Sequence, residues 1–393
     1  MSPAPLDGIV VVALEQAVAV PFATRQLADL GARVIKLERP GTGDFARGYD
    51  GKVGGLSSAF LWLNRGKESV ELDVTSEAGL RLLDALLARA DVFLHNISPA
   101  AALRRGIDSA SLSARFPGLI AGSVSGYGTR GPMADAKAYD LLVQGETGMI
   151  SLTGEEDSPA KVGISIADIS AGMYAYASVL AAIHHRSRTG QVVPVDVSLF
   201  DSLTEWLLYP MYYTAHGGVA PKRMGSGHAT IAPYGPVTVG DGSQVLLAVQ
   251  NEREWVRFCA DVLRVPELAE DPRFGSQELR VAHRRELDAV ISDKLEYLDR
   301  ETVLKRLDAA DIASGRLNPI ERLPEHEQLA GRWTQIGTEA GPVPTVLPPW
   351  APPGVERYGN VPALGEHTRA VHDWLGLDLD GSRPNEPRPN DRD

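Results

Sequence analysis

The sequence predicts an α/β protein: a Rossmann-like, doubly wound large domain with a smaller α+β domain. Three observations carry this. Strand-like apolar runs alternate with helical patterns from residue 8 to residue 198, as in a parallel sheet covered by helices. A stretch rich in Gly, Pro and basic residues, 217–227, then ends that alternation. The 393 residues suffice for two domains, and 44% hydrophobic with 23% charged residues is a globular balance.

Residues 8–14 are continuously apolar, which reads as a strand buried on both faces. A loop at 15–21 leads to a helix at 22–30 closed by Gly31, and 32–38 reads as a second strand. Strand, helix and strand within about 30 residues make a βαβ unit. Glu38 stands where a nicotinamide-dinucleotide fold keeps its ribose acid, yet Gly-x-Gly-x-x-Gly is missing from the first turn. That speaks against a nicotinamide-dependent oxidoreductase. A helix at 76–90 carries Leu80, Leu83 and Leu87 on one face, and strands follow at 92–94 and 119–124.

Residues 162–166 are β-branched and read as a short strand before Asp168. After Gly172, Met173, Tyr176, Val179, Leu180 and Ile183 fall at helical spacing up to Thr189-Gly190. An acid at such a junction is either an N-cap or a reactive group. A strand at 191–198 and a helix at 199–215 complete the first part of the large domain, 1–215. The small domain, 225–330, opens at 228–235, has strands near Val237 and at 245–249, and a helix bearing Leu287, Val290, Ile291 and Leu295. Residues 342–353 hold six prolines and must be extended. Residues 340–380 return the chain to the large domain, with a last helix at 368–375. Residues 381–393 are polar and Pro-rich, a tail expected to be disordered.

The net charge of −12 disfavours nucleic acid and acidic membranes as partners. A single cysteine, Cys259, excludes an internal disulfide and a Cys-based metal cluster; its apolar surroundings suit a buried helix better than a nucleophile. The nine histidines lack metal-ligand spacing, so no metal is expected, and His184-His185 read as surface. The N-terminus has no signal-peptide pattern and no apolar run reaches about 18 residues, so a cytoplasmic protein is expected.

Five segments share one likeness: Arg39-Pro40-Gly41-Thr42-Gly43-Asp44; Asn64-Arg65-Gly66-Lys67-Glu68-Ser69 with Leu72-Asp73; Leu103-Arg104-Arg105-Gly106; Gly126-Tyr127-Gly128; and Lys137-Ala138-Tyr139-Asp140 leading to Gly145 and Gly148. Together with Asp168 they resemble the class III CoA-transferase family, which also contains α-methylacyl-CoA racemases. The resemblance runs over nearly the whole chain, strongest over 8–200. It implies coenzyme A as substrate and two ring-like chains interlocked as a homodimer. It makes Asp168 the nucleophile, attacking an acyl-CoA to give an aspartyl anhydride and then an aspartyl-CoA thioester.

By the same resemblance Arg39, Arg104 and Lys137 bind CoA phosphates, and Leu72 and Asn96 contact nucleotide and pantetheine. Arg105 reads as the solvated neighbour of Arg104, or the two exchange places. Tyr139 and Asp140 complete the CoA site, His228 faces the substrate, and Gly172 and the 145–148 loop are candidate oxyanion donors. Racemases of the family carry His where this chain has Tyr139. Tyrosine's ordinary pKa of about 10 suits an α-proton relay poorly, so transfer is preferred to racemisation. A non-catalytic acyl-CoA binder is the third reading, against which Asp168 speaks. Residues 228–235 and 251–255 resemble members that handle small dicarboxylic acids, implying succinyl-CoA as donor and a C4–C5 dicarboxylate as acceptor.

Overall fold

The structure, a computed structural model, describes residues 3–351 and 358–378. The tail at 381–393 lies outside the described residues, as do 352–357 of the Pro-rich run. The chain divides into two compact units: the first comprises Met1–Thr147, Gly163–Leu207 and the residues from Ala330 on, the second Gly148–Val162 and Leu208–Leu329.

In chain order the first unit begins with β1 (Val10–Leu14), α1 (Ala19–Asp29), β2 (Arg33–Glu38), α2 (Ser58–Asn64), β3 (Lys67–Glu71) and α3 (Glu77–Leu87). It continues with β4 (Val92–His95), α4 (Pro99–Arg105), α5 (Ser109–Arg115), β5 (Ile120–Ser125) and α6 (Asp140–Glu146). A short excursion, α7 (Met149–Leu152) with the hairpin β6 (Gly154–Glu155) and β7 (Ser158–Pro159), belongs to the second unit. The first unit resumes with α8 (Ile166–Thr189), β8 (Val195–Ser198) and α9 (Leu199–Trp206).

Strands β3-β2-β1-β4-β5-β8 form one sheet in that order, every pair parallel. One face packs Val12, Ile35, Leu37, Phe93 and Ala121 against Leu82, Leu83, Leu86 and Leu87 of α3 and Leu112 of α5. The other is covered by α1 and α8. Strand order reverses between β1 and β4, the switch point where open α/β sheets bind ligands at their carboxyl ends.

The second unit continues with α10 (Leu208–Gly217), β9 (Tyr234–Thr238), β10 (Gln244–Ala248) and α11 (Glu252–Arg257). A π-turned stretch, Phe258–Leu263, leads to α12 (Gln277–Ala282), α13 (Arg284–Leu295), α14 (Arg300–Ala309) and β11 (Ala313–Arg316). Its antiparallel sheet, β11-β10-β9, covers a core of Trp255, Phe258, Phe274, Leu287, Ile291 and Leu307. Cys259 is buried in that core, and burial pushes its thiol up to about 12. Back in the first unit, β12 (Trp333–Ile336) pairs with β13 (Val343–Val346) inside the Pro-rich segment, and α15 (Thr368–Leu375) lays Val371 and Leu375 on the α3 side of the sheet.

Local expectations fail in four places. Residues 162–166 form no strand: only Ile166 is in an element, and it starts α8. The helix expected at 199–215 breaks after Trp206. Leu80 is 38% exposed, because α3 turns Leu82, Leu83, Leu86 and Leu87 inward instead. Finally, α8 is long and apolar enough to cross a membrane by length and composition. Its Ala167, Ala171, Ala175, Val179 and Ala182 are buried, however, and it packs on α1, α9 and the sheet as a core helix does.

Helices α1 and α8 approach closely because both present small residues. A Cβ placed on Gly172 would stand 2.6 Å from the Ala19 carbonyl oxygen and 3.0 Å from the Phe22 ring. Gly172 is thus a packing glycine that faces α1. Gly172→Val should lower stability by about 1–3 kcal/mol, as overpacked cores do, read as a lower urea midpoint.

Candidate active site

Asp168 lies in the first turn of α8, one turn after Ser165, whose side chain makes no cap bond. The cap comes from another helix. Asp140, first residue of α6, accepts the Ala167 N–H at 2.8 Å and the Asp168 N–H at 3.4 Å through Oδ1. Its Oδ2 accepts from the Gln144 side-chain amide at 2.6 Å, which fixes the carboxylate's rotation. The N-terminal N–H groups of α8 are therefore satisfied across 27 residues of sequence, and Asp168 is left without a capping duty.

Burial, and then the negative charge of Asp140, push the Asp168 carboxyl from its ordinary 3.8 up to about 7. A half-protonated, partly buried carboxyl beside a second acid is the pattern of functional sites. Tyr49, half exposed, completes the neighbourhood. After burial, the charges of Asp44, Asp168 and Tyr139 raise its phenol. Tyr139 itself is 69% exposed. The segment carrying Lys137 and Tyr139 sits tightly on β5's exit loop: a Cβ on Gly126 would stand 2.1 Å from the Ala138 Cβ. Lys137 is exposed.

At the switch point lies a crevice of about 240 Å³. It is lined by Glu15 and Gln16 after β1, Arg39 and Asp44 after β2, Leu72 after β3, and Ile97, Ala101 and Arg105 after β4. Two of the expected CoA positions, Arg39 and Leu72, thus share one cleft. Asn96 supports it from below: its side-chain Oδ1 accepts the Gln16 N–H at 3.0 Å and its Nδ2 donates to the Gln16 carbonyl at 2.7 Å. Arg104 is exposed on α4 and does not line the crevice, whereas Arg105 does, donating to the Ala101 carbonyl at 3.2 Å. A larger cavity of about 660 Å³, beside His95, Ser123 and Asp196, holds none of the expected CoA residues.

His228 lies in the second unit. Its Nδ1 accepts the Thr230 N–H at 3.2 Å, its ring stands 5.2 Å from that of Tyr234, and Arg284 donates to its carbonyl at 2.7 Å. Glu38, which could have been a ribose acid, is instead paired with Arg47 and takes the Ser69 hydroxyl at 2.7 Å. Among the described residues no group of three or more His, Cys, Asp or Glu could hold a metal ion. Sequence reasoning did not single out Tyr49, which follows the Arg39–Asp44 motif by five residues but carries no signal of its own; Arg105 in the crevice is the exchange with Arg104 that the sequence left open.

Fold and site together describe an α/β chain with a raised carboxyl in the first turn of α8 and a crevice at the carboxyl ends of its parallel sheet. The chain belongs to CoA-transferase family III, whose family model matches residues 6–368, and it is a CoA-transferase. It is 34% identical over 383 residues to the succinate–glutarate CoA-transferase of Agrobacterium fabrum, covering 93% of this chain and 94% of that one. To the succinyl-CoA:glutarate CoA-transferase of Mus musculus it is 30% identical over 377 residues, covering 93% and 85%. The crystal structure of a CAIB/BAIF family protein from Brucella suis matches it with a TM-score of 0.82 at 33% identity, over 95% of this chain and 100% of that one.

The raised Asp168 carboxyl has a stability consequence. Folded protein keeps this proton up to about pH 7, whereas the unfolded chain releases it near 3.8, so stability falls as pH rises through that window. Asp168→Asn should therefore raise the melting temperature, and the gain should be larger at pH 8 than at pH 5 by differential scanning calorimetry.

Proposed function

We propose that this enzyme moves CoA from succinyl-CoA to a C4–C5 dicarboxylate through covalent intermediates on Asp168. The observation that carries the reading is the Asp168 carboxyl itself, freed from capping by Asp140 and standing in the first turn of α8. The glutarate CoA-transferases among the relatives support the acid class, since glutarate is a C5 dicarboxylate.

The chemistry balances without an outside reactant. The Asp168 carboxylate attacks the donor thioester carbonyl; the C–S bond breaks, giving an aspartyl anhydride and CoA thiolate. The thiolate attacks the aspartyl carbonyl, releasing the donor acid and leaving an aspartyl-CoA thioester. The acceptor carboxylate attacks that thioester, re-forming an anhydride and the thiolate. Attack of the thiolate on the acceptor's carbonyl yields the new acyl-CoA and restores Asp168.

Arg39 and Arg105 of the crevice, joined by Lys137, hold the CoA phosphates, with Arg105 taking the role expected of Arg104. Leu72 packs on the nucleotide. Tyr49 and Tyr139 bound the acyl site. The reading includes the homodimer and the cytoplasmic setting expected from the sequence. Racemisation is disfavoured because Tyr139 stands where a second base would be needed.

Acyl-CoA supplied without acceptor should leave an adduct that hydroxylamine traps on the peptide containing Asp168, found by mass spectrometry. Asp168→Asn should lower exchange on the order of 10³-fold or more while the protein stays folded. Full activity in that variant, with no adduct in the wild type, would refute the covalent role.

The attacking form is the carboxylate, so kcat should rise with pH through about 7. Asp140→Asn keeps a side-chain oxygen for α8 but removes the charge that helps raise Asp168, so the acid limb of its profile should move to lower pH. An unmoved limb in initial-rate profiles would assign it to another group.

A further inference from the structure

Two members of the motifs over residues 39–44 and 64–73, Asp44 and Lys67, join Glu15 and Lys36 in a buried cluster at the loop that leaves β1. Glu15 is its hub and is 1% exposed. Its Oε1 accepts from Lys67 Nζ at 2.7 Å and from Lys36 Nζ at 3.3 Å, and its Oε2 accepts the Thr24 hydroxyl at 2.6 Å. Lys67 donates further to the Pro21 carbonyl and to Asn64 Oδ1, both at 3.0 Å. Lys36 donates further to Asp44 Oδ2 at 2.8 Å. All four charged side chains are fully buried, and two ammonium groups face two carboxylates.

From this cluster, bonds reach up into the crevice loop. Asp44 Oδ1 accepts the Ala17 N–H at 3.1 Å, and Lys36 donates to the Glu15 carbonyl at 3.4 Å. Asn96 clasps Gln16 on the same loop. Ala17 needs such a grip, because its φ of 61° is a left-handed conformation that alanine adopts at a cost. Buried ion pairs are an inefficient source of stability, since desolvation offsets most of the attraction; what they fix well is geometry.

We propose that the Glu15–Lys36–Lys67–Asp44 cluster is a positioning device that holds residues 15–17 in the shape the CoA crevice requires. This inference rests on the reading of that crevice as the CoA site. Asp44→Asn keeps the side chain's size and an oxygen for Ala17, but no longer offers Lys36 an anion. Lys67→Met breaks the other end of the cluster, so the test survives if one of the two fails to fold.

Titration calorimetry with CoA, steady-state kinetics and urea unfolding would be run on both variants and the wild type. Each folded variant should bind CoA about tenfold more weakly, which is about 1.4 kcal/mol. The KM for acyl-CoA should rise in parallel, with kcat and the KM for the acceptor acid little changed. Glu15→Gln with Lys67→Met removes one pair at constant net charge, and should regain stability over Lys67→Met without regaining CoA affinity. Variants that lose stability yet keep wild-type CoA affinity and KM would overturn the inference alone. Wild-type protein that fails to bind CoA would overturn the crevice reading and this inference with it.

Discussion

The close seam between α1 and α8 is the constraint on which the site depends. A crossover helix between parallel strands begins at their carboxyl ends, so fixing α8 against the sheet also fixes its first turn there. Ala167, Ala171, Ala175 and the bare Cα of Gly172 allow the approach to α1. Any larger residue in that row would tilt or slide the helix, and Asp168 would move with it. The same α1 follows the loop at 15–17, so one packing interface serves both the Asp168 carboxyl and the crevice.

Much of this was legible in the sequence. The apolar run of β1 has no alternation, as in a sheet covered on both faces, and α15 fell where the last helix was expected. Asp168 was legible as an acid at the start of a helix, though not that another acid caps that helix. The cap is Asp140, 27 residues before Ala167, and no local pattern encodes such a contact. The strand expected at 162–166 was misread because β-branched composition says nothing about whether a partner strand is present.

Arg104 and Arg105 illustrate a different limit. Neighbours on a helix point about 100° apart, so a one-residue choice decides between crevice and solvent. Composition cannot make that choice; the docking of α4 on the sheet does, and it turns Arg105 inward. Asn96 bonds the Gln16 backbone at the crevice, and Glu38, for which a dinucleotide role was disfavoured, pairs with Arg47.

Coenzyme A is itself a thiol, and an enzyme that handles it repeatedly is exposed to mixed-disulfide formation wherever a cysteine can be reached. This chain has one sulfhydryl, Cys259, shut inside the core of the second unit with its thiolate form suppressed. On the folded protein CoA's sulfur therefore meets no exposed thiol with which to form a mixed disulfide, a by-product of where a single small apolar side chain was packed.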